Sequence, residues 1–223
     1  EPGGRIASAN RLRWQGLAVA EAFAALAPAS LEADVRAAAL AEARLGAGRG
    51  FADFLYVNVG TGISSAWVRD GRPHAGQRGN ALLLASSPVT VPLPGGGRWS
   101  YVPEDVAGGA GLLARYNAAA SAPAADTRAV LSAAKAGDPL ALRLLDEATL
   151  ALGVNLGLAI NLLDPAAVVV GGGLGLAGGL YWSGLLERTR AQIWAPATRG
   201  LPLLQGSLGG DAAVLGAALL AAG

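Results

Sequence analysis

A chain of 223 residues with 52% hydrophobic side chains is long enough for one large domain or two small lobes and can bury a sizeable core. Seventeen Lys and Arg against sixteen Asp and Glu leave a formal charge of +1, and no long basic run offers a footprint for a phosphate backbone, so no nucleic-acid contact is expected. Cysteine is absent and His74 is the single histidine, which removes disulfides, thiolate nucleophiles, cysteine-ligated zinc and a histidine-rich metal site.

From Gly16 to Ala47 the pattern is rich in Ala with Glu, Arg and Leu interspersed and predicts helices, broken in two at Pro28 and Ser30. In the second piece Ser30 is the expected N-cap, Glu32 and Asp34 suit the positive end of the helix dipole, and Gly46 is the expected stop. "FLYVNV", a Gly-Thr-Gly turn and "ISSAWV" then predict a strand pair, ended by the turn "RDG". Residues 72–105 lack a steady period and carry five prolines and Gly95–Gly97, which predicts short strands and loops. Helical spacing resumes in "GAGLLARYNAAA", "DTRAVLSAAKAGD" and the long run from Pro139 to Asp164. The most apolar span, Ala148–Pro165, is interrupted by Asn155 and Asn161 and reads as a buried helix rather than a membrane span. "AAVVVGGG" predicts a buried strand running into glycine, followed by the helix "GGLYWSGLLERTRAQIW" and a last small-residue helix capped by Asp211. This order is mixed α/β, a sheet covered by helices. A cytoplasmic location is the default expectation. Methionine is absent, even at position 1, and implies that a segment precedes the first residue.

Three features carry candidate chemistry. The turn Gly60–Thr61–Gly62 lets backbone N–H groups approach an anion with no Cβ in the way, and the Thr61 hydroxyl adds a donor; a tight structural turn between strands uses the same residues. The cluster Gly171, Gly172, Gly173 lies between a buried strand and a helix, where open α/β sheets bind ligands, yet it lacks the spacing of a dinucleotide fingerprint. Close helix–sheet contact explains it equally. Asp34, at a helix start, is the one carboxylate proposed as a catalytic base; an exposed helix-start acid is the structural alternative. His74, between Pro73 and Ala75 in a loop, reads as solvated.

The strings "GRIASANRLRW", "EADVRAAALAE", "LYVNVGTGISSAWVRDG", "GNALLLASSPV", "INLLDPAAVVVGGG" and "LGGDAAVLGAALL" together resemble the ROK family of repressors, open reading frames and sugar kinases over nearly the full chain. The resemblance implies the two-lobed actin-like, hexokinase-like (RNase H-like) α/β ATPase fold, with residues 1–52 the remnant of a small lobe and hinge helix, 53–210 the large lobe and 211–223 a helix packing back on the small lobe. It implies ATP and Mg2+ as cofactors, a small-molecule sugar or related ligand, no membrane, and a homodimer. Asp34 matches the catalytic aspartate, Gly60, Thr61 and Gly62 the second phosphate turn, and Gly171, Gly172 and Gly173 the cluster beside the adenosine; Asn10, Leu83 and Ser86 fall at sugar-binding positions.

The departures are informative. Ala33 stands where members carry Asn before the aspartate, Leu83 where a sugar-binding Glu belongs, and Ser86 where a His belongs. Charge-assisted contacts are each worth about 1.5–3 kcal/mol. Three lost contacts amount to roughly 5 kcal/mol, or about three to four decades of affinity. The family's cysteine-rich zinc loop corresponds here to "PLPGGGRWSYVPED", so no zinc is expected. The function expected is therefore a sugar-kinase-like protein with a degenerate hexose site that binds a nucleotide or other ligand. An active kinase of an atypical sugar or polyol and the effector-binding part of a regulator are the alternatives.

Overall fold

The computed structural model describes residues 16–24, 26, 29, 31–92 and 96–222. Ser30 and Asn10 lie outside the described residues. The elements follow the expected order: α1 (Val19–Ala24), α2 (Asp34–Leu45), β1 (Phe54–Val59), β2 (Ile63–Arg69), β3 (Arg72–Pro73), β4 (Val89–Pro92), β5 (Arg98–Tyr101), α3 (Pro103–Ala107), α4 (Gly109–Ala119), α5 (Thr127–Lys135), α6 (Pro139–Leu163), β6 (Val168–Gly171), α7 (Gly179–Gln192), β7 (Leu203–Gln205) and α8 (Ala212–Ala221). Among the described residues five strands form one sheet in the order β3-β2-β1-β6-β7, and β4 and β5 make a separate antiparallel pair. β1 is antiparallel to β2 and parallel to β6, which is parallel to β7.

Alternation along β1 builds both layers. Leu55, Val57 and Val59 face a core shared with α4, α5, α6 and α7, whereas Phe54 and Tyr56 face a second core shared with α2 and α8. Both faces are thus buried, as expected for a strand paired in parallel inside an α/β sheet. The apolar span from Ala148 lies within α6, and no helix among the described residues is long and apolar enough to cross a membrane. α8 packs so closely on α2 that a Cβ on Gly216 would collide with the Ala37 carbonyl.

Two helix starts differ from the sequence reading. α2 begins at Asp34 behind an extended Ala33 that offers no side-chain cap. Glu32, ahead of the helix, accepts the Ala33 N–H at 2.7 Å and Arg36 Nε at 2.6 Å. Asp211 also makes no side-chain cap on α8: it sits in a 3-10 turn, Gly209–Asp211, with φ −86 and ψ −9 rather than the extended geometry that aims a cap at the next N–H groups.

Glu42, in the last turns of α2, is 1% exposed. Its carboxylate accepts the N–H of Ala47 at 2.7 Å, of Leu208 at 3.0 Å and of Ser207 at 3.3 Å, tying α2 to the loop that follows β7. Replacing it by Gln turns an all-acceptor group into one that directs N–H toward N–H. Glu42→Gln is expected to lower stability by about 3 kcal/mol, read as a shift of the urea midpoint at unchanged m-value.

α6 is capped by Asp138, which accepts Leu140 N–H at 2.8 Å and Ala141 N–H at 3.2 Å, while the Tyr116 hydroxyl donates to it at 2.6 Å. The Tyr116 bond first, then the helix N–H groups, hold this carboxyl below the ordinary range. A depressed folded-state pKa contributes stability above the unfolded value and loses it as pH falls through the folded value. The stability difference between the parent and Asp138→Asn is therefore expected to be full at neutral pH and to close below about pH 4, as measured by urea unfolding across pH.

Candidate functional site

The two glycine turns leave the carboxyl ends of neighbouring parallel strands. Asn58 pairs with Gly171 in register, and β1 and β6 then open into Gly60–Thr61–Gly62 and Gly171–Gly172–Gly173. The Val59 carbonyl accepts the N–H groups of both Leu174 and Gly175 at 2.9 Å, so the second turn is docked on the strand that feeds the first. The first turn is closed by Gly60 N–H to the Gly62 carbonyl at 2.9 Å. From behind it is held by α4, whose leading Gly109 and Ala110 N–H groups donate to the Gly60 and Thr61 carbonyls at 2.8 and 2.9 Å.

Steric accounting separates the glycines. A Cβ on Gly171 would collide with the Tyr56 hydroxyl. Gly172 has φ +82, and its Cβ would lie 2.5 Å from the Val59 backbone. Packing alone demands both. At Gly60 a Cβ would meet only Asn58 Nδ2 at 3.7 Å, and at Gly173 nothing within 4 Å. Neither has a positive φ, so neither is required by the fold.

Both open positions line a cavity of about 310 Å³ whose wall also holds Asp34, Tyr56, Asn58, Gly172 and Gly210. The structure thus brings Asp34, Gly60, Gly172 and Gly173 together. Thr61, Gly62 and Gly171 do not line it, and Thr61 is exposed beside it. Asp34 is exposed, and its Oδ1 accepts the Val35 N–H at 2.7 Å. Two residues further, Arg36 pairs with Glu32 and donates to the Gly79 carbonyl at 2.8 Å, tethering the segment that leads to Leu83.

Leu83 is 61% exposed and Ser86 is exposed; neither lines the cavity. Leu82 holds a left-handed φ of 62, and the Ser65 hydroxyl donates to its carbonyl at 2.5 Å. A glycine would adopt that conformation freely; for Leu it costs roughly 1–2 kcal/mol. His74 is exposed and lies edge-on to Trp67.

Sequence reading missed Tyr56, Asn58, Gly209 and Gly210 in the wall. The first two were signalled by the two-residue period of "FLYVNV", which puts them on one face. Tyr56 is 1% exposed; burial first, then the carboxylates of Glu42 and Asp34, push its hydroxyl well above the ordinary phenol range, so it stays a donor. A second cavity, about 670 Å³, lies between α5 and the start of α7, lined by Leu131, Ser132, Lys135, Leu180 and Ser183.

Glycine turns at the ends of parallel strands, an acid at a facing helix start and a mixed sheet covered on both sides define a sugar-kinase-like protein of the actin-like ATPase fold. The ROK family model matches residues 2–223, and the chain belongs to the ROK family. It is 34% identical over 200 residues to a bifunctional enzyme NanE/NanK of Brucella melitensis, covering 88% of this chain but only 36% of that protein. Among solved structures it is similar to a ROK hexokinase from Thermus thermophilus, with a TM-score of 0.82 and 34% identity, covering 97% of this chain and 73% of that one. A ROK glucokinase from Streptomyces griseus in complex with glucose and AMPPNP shares the fold, with a TM-score of 0.80 at 24% identity over 98% of this chain and 76% of that one.

The steric distinction is testable. Gly171→Ala is expected to destabilise the protein by about 1–3 kcal/mol through its collision with Tyr56. Gly173→Ala is expected to stay within about 0.5 kcal/mol of the parent. Thermal unfolding of the two variants side by side checks both.

Proposed function

We propose that this chain binds the phosphates of ATP at its two glycine turns and is a sugar-kinase-like protein whose acceptor site is no longer built for an ordinary hexose. The observation that carries the reading is that Gly60 and Gly173, which the fold does not require to be glycine, flank the one cavity wall that Asp34 shares. A Cβ at either position would occupy space a phosphate group needs, so the residues present fit a nucleotide. In this reading Gly60–Gly62 and Gly171–Gly173 hold the phosphates, and the base lies in the second cavity among Leu131, Leu180, Ser132 and Ser183. ATP supplies the transferable phosphoryl group, and Mg2+ bound with it offsets its charge. Residues 53–210 act as the nucleotide-holding lobe, with 1–52 and the helix within 211–223 completing the acceptor side.

Asp34 is the candidate base. Its place at the start of α2 sets a carboxylate beside the cavity, where it would orient an acceptor hydroxyl and take its proton. The acceptor side is what departs from the family. Ala33 removes an amide, and Leu83 and Ser86 stand where Glu and His bind sugar hydroxyls, so a hexose would leave hydroxyls unpaired. An active kinase of an atypical sugar or polyol is the second reading, favoured by Asp34 lining the same cavity as Gly60 and Gly173.

A coupled ADP-release assay on the protein with whatever its gene encodes upstream, across hexoses, amino sugars and polyols and beside Asp34→Asn, tests both. The expected outcome is nucleotide binding with no turnover of glucose or N-acetylmannosamine above the Asp34→Asn background. Asp34-dependent turnover of a common hexose would sink the first reading. Asp34-dependent turnover confined to a polyol or unusual sugar would establish the second.

A further inference from the structure

The floor of the cavity beside Asp34 carries two polar side chains that the reading above leaves without a task. Tyr56 and Asn58 project from the same face of β1, and both line the cavity. Tyr56 is 99% buried, yet its hydroxyl makes no hydrogen bond with any described residue. Asn58, half-buried, likewise has no side-chain partner among the described residues. Neither group is sealed from solvent, since the buried side-chain atoms without a partner among the described residues are Arg115 Nη1 and Thr189 Oγ1; the Tyr56 hydroxyl and the Asn58 amide therefore face the cavity with hydrogen-bonding capacity that a ligand can take up.

The free polar side chains on this face can act as donors. α2 opens onto this space through Asp34 and Val35, and α8 through Ala212 and Ala213. α8 has no side-chain cap where it meets the wall, whereas at the start of α2 the Val35 N–H is already taken by the Asp34 carboxylate at 2.7 Å. Burial and the neighbouring Glu42 and Asp34 carboxylates keep the Tyr56 phenol protonated, which makes it a donor and not a base. The Asn58 side chain brings a second donor, its Nδ2, to within reach of Gly60. The Tyr56 hydroxyl also lies against Gly171, at the head of the second turn.

We infer that the Tyr56 hydroxyl and the Asn58 side-chain amide donate hydrogen bonds to the terminal phosphoryl group of the bound nucleotide. The terminal group is singled out because Asp34 shares the cavity, and a phosphoryl group about to be attacked must lie beside the acceptor that this carboxylate would orient. The inference rests on the nucleotide reading and adds the side chains that recognise the transferable group.

Calorimetric titration of the parent, Tyr56→Phe and Asn58→Ala with AMPPNP, ADP and adenosine, all with Mg2+, tests it. Each substitution is expected to weaken AMPPNP binding about tenfold while leaving ADP and adenosine unchanged. AMPPNP binding as tight as the parent's overturns the assignment of that residue, and equal weakening of all three probes overturns it as well, because that is the mark of a distorted site. Should Tyr56→Phe fail to fold, Asn58→Ala decides by the same comparison from outside the core. If the parent binds ADP but AMPPNP no better, the terminal-phosphoryl contact falls and the nucleotide reading stands. If the parent binds no nucleotide, both fall together.

Discussion

The Glu42 carboxylate is the constraint from which the site hangs. A buried charge is tolerated only where hydrogen bonds replace water, and here the N–H groups of Ala47, Ser207 and Leu208 do so. Two of these lie in the loop after β7 and one just beyond α2, so one side chain joins elements far apart in sequence. Downstream of that loop come Gly209 and Gly210 in the cavity wall, and eight residues upstream along α2, about 12 Å, comes Asp34. The geometry between acid and glycines is therefore set at the opposite end of the helix from where it is used. Gly46 and Gly206 are shaped by the same group, since a Cβ on either would collide with the Glu42 carboxylate.

Around this clamp the sheet supplies direction. β1 and β6 run parallel and end side by side, so their turns project on the same edge, the place where α/β sheets gather ligands. Hydrogen bonds from Leu174 and Gly175 to Val59 lock the second turn to the first, and α4 props the first from beneath. These contacts consume carbonyls. What remains toward the cavity is the Tyr56 hydroxyl, the Asn58 amide and the uncapped start of α8, opposed by the exposed Asp34 carboxylate. That division suits a phosphorylated ligand on one side and a hydroxyl acceptor on the other.

Elements dominated by local pattern were legible. "FLYVNVGTGISSAWV" became β1, turn and β2, and the Leu/Ala spacing after Pro139 became α6, because a strand period or helical period needs no information from elsewhere. The start of α2 was not legible. Ser30 looked like a cap and Glu32 like a first-turn acid, but Glu32 works from outside the helix, pairing with Arg36. Glu42 gave no signal either: in "AEARLG" it reads as a solvent-facing helix glutamate, and two of its three partners are 165 and 166 residues away. Tyr56 and Asn58 were read only as strand formers, since nothing local says that the sheet edge above them is a cavity.

The amino-acid sequence by itself determined the α/β class, the run of elements and the two glycine turns, because each is a property of neighbouring residues. Only the tertiary structure decided what the glycines are for. Gly171 and Gly172 answer to Tyr56 and the Val59 backbone, while Gly60 and Gly173 face open space beside Asp34. The sequence treats all four alike, because steric need is a relation between a backbone position and whatever the fold brings next to it.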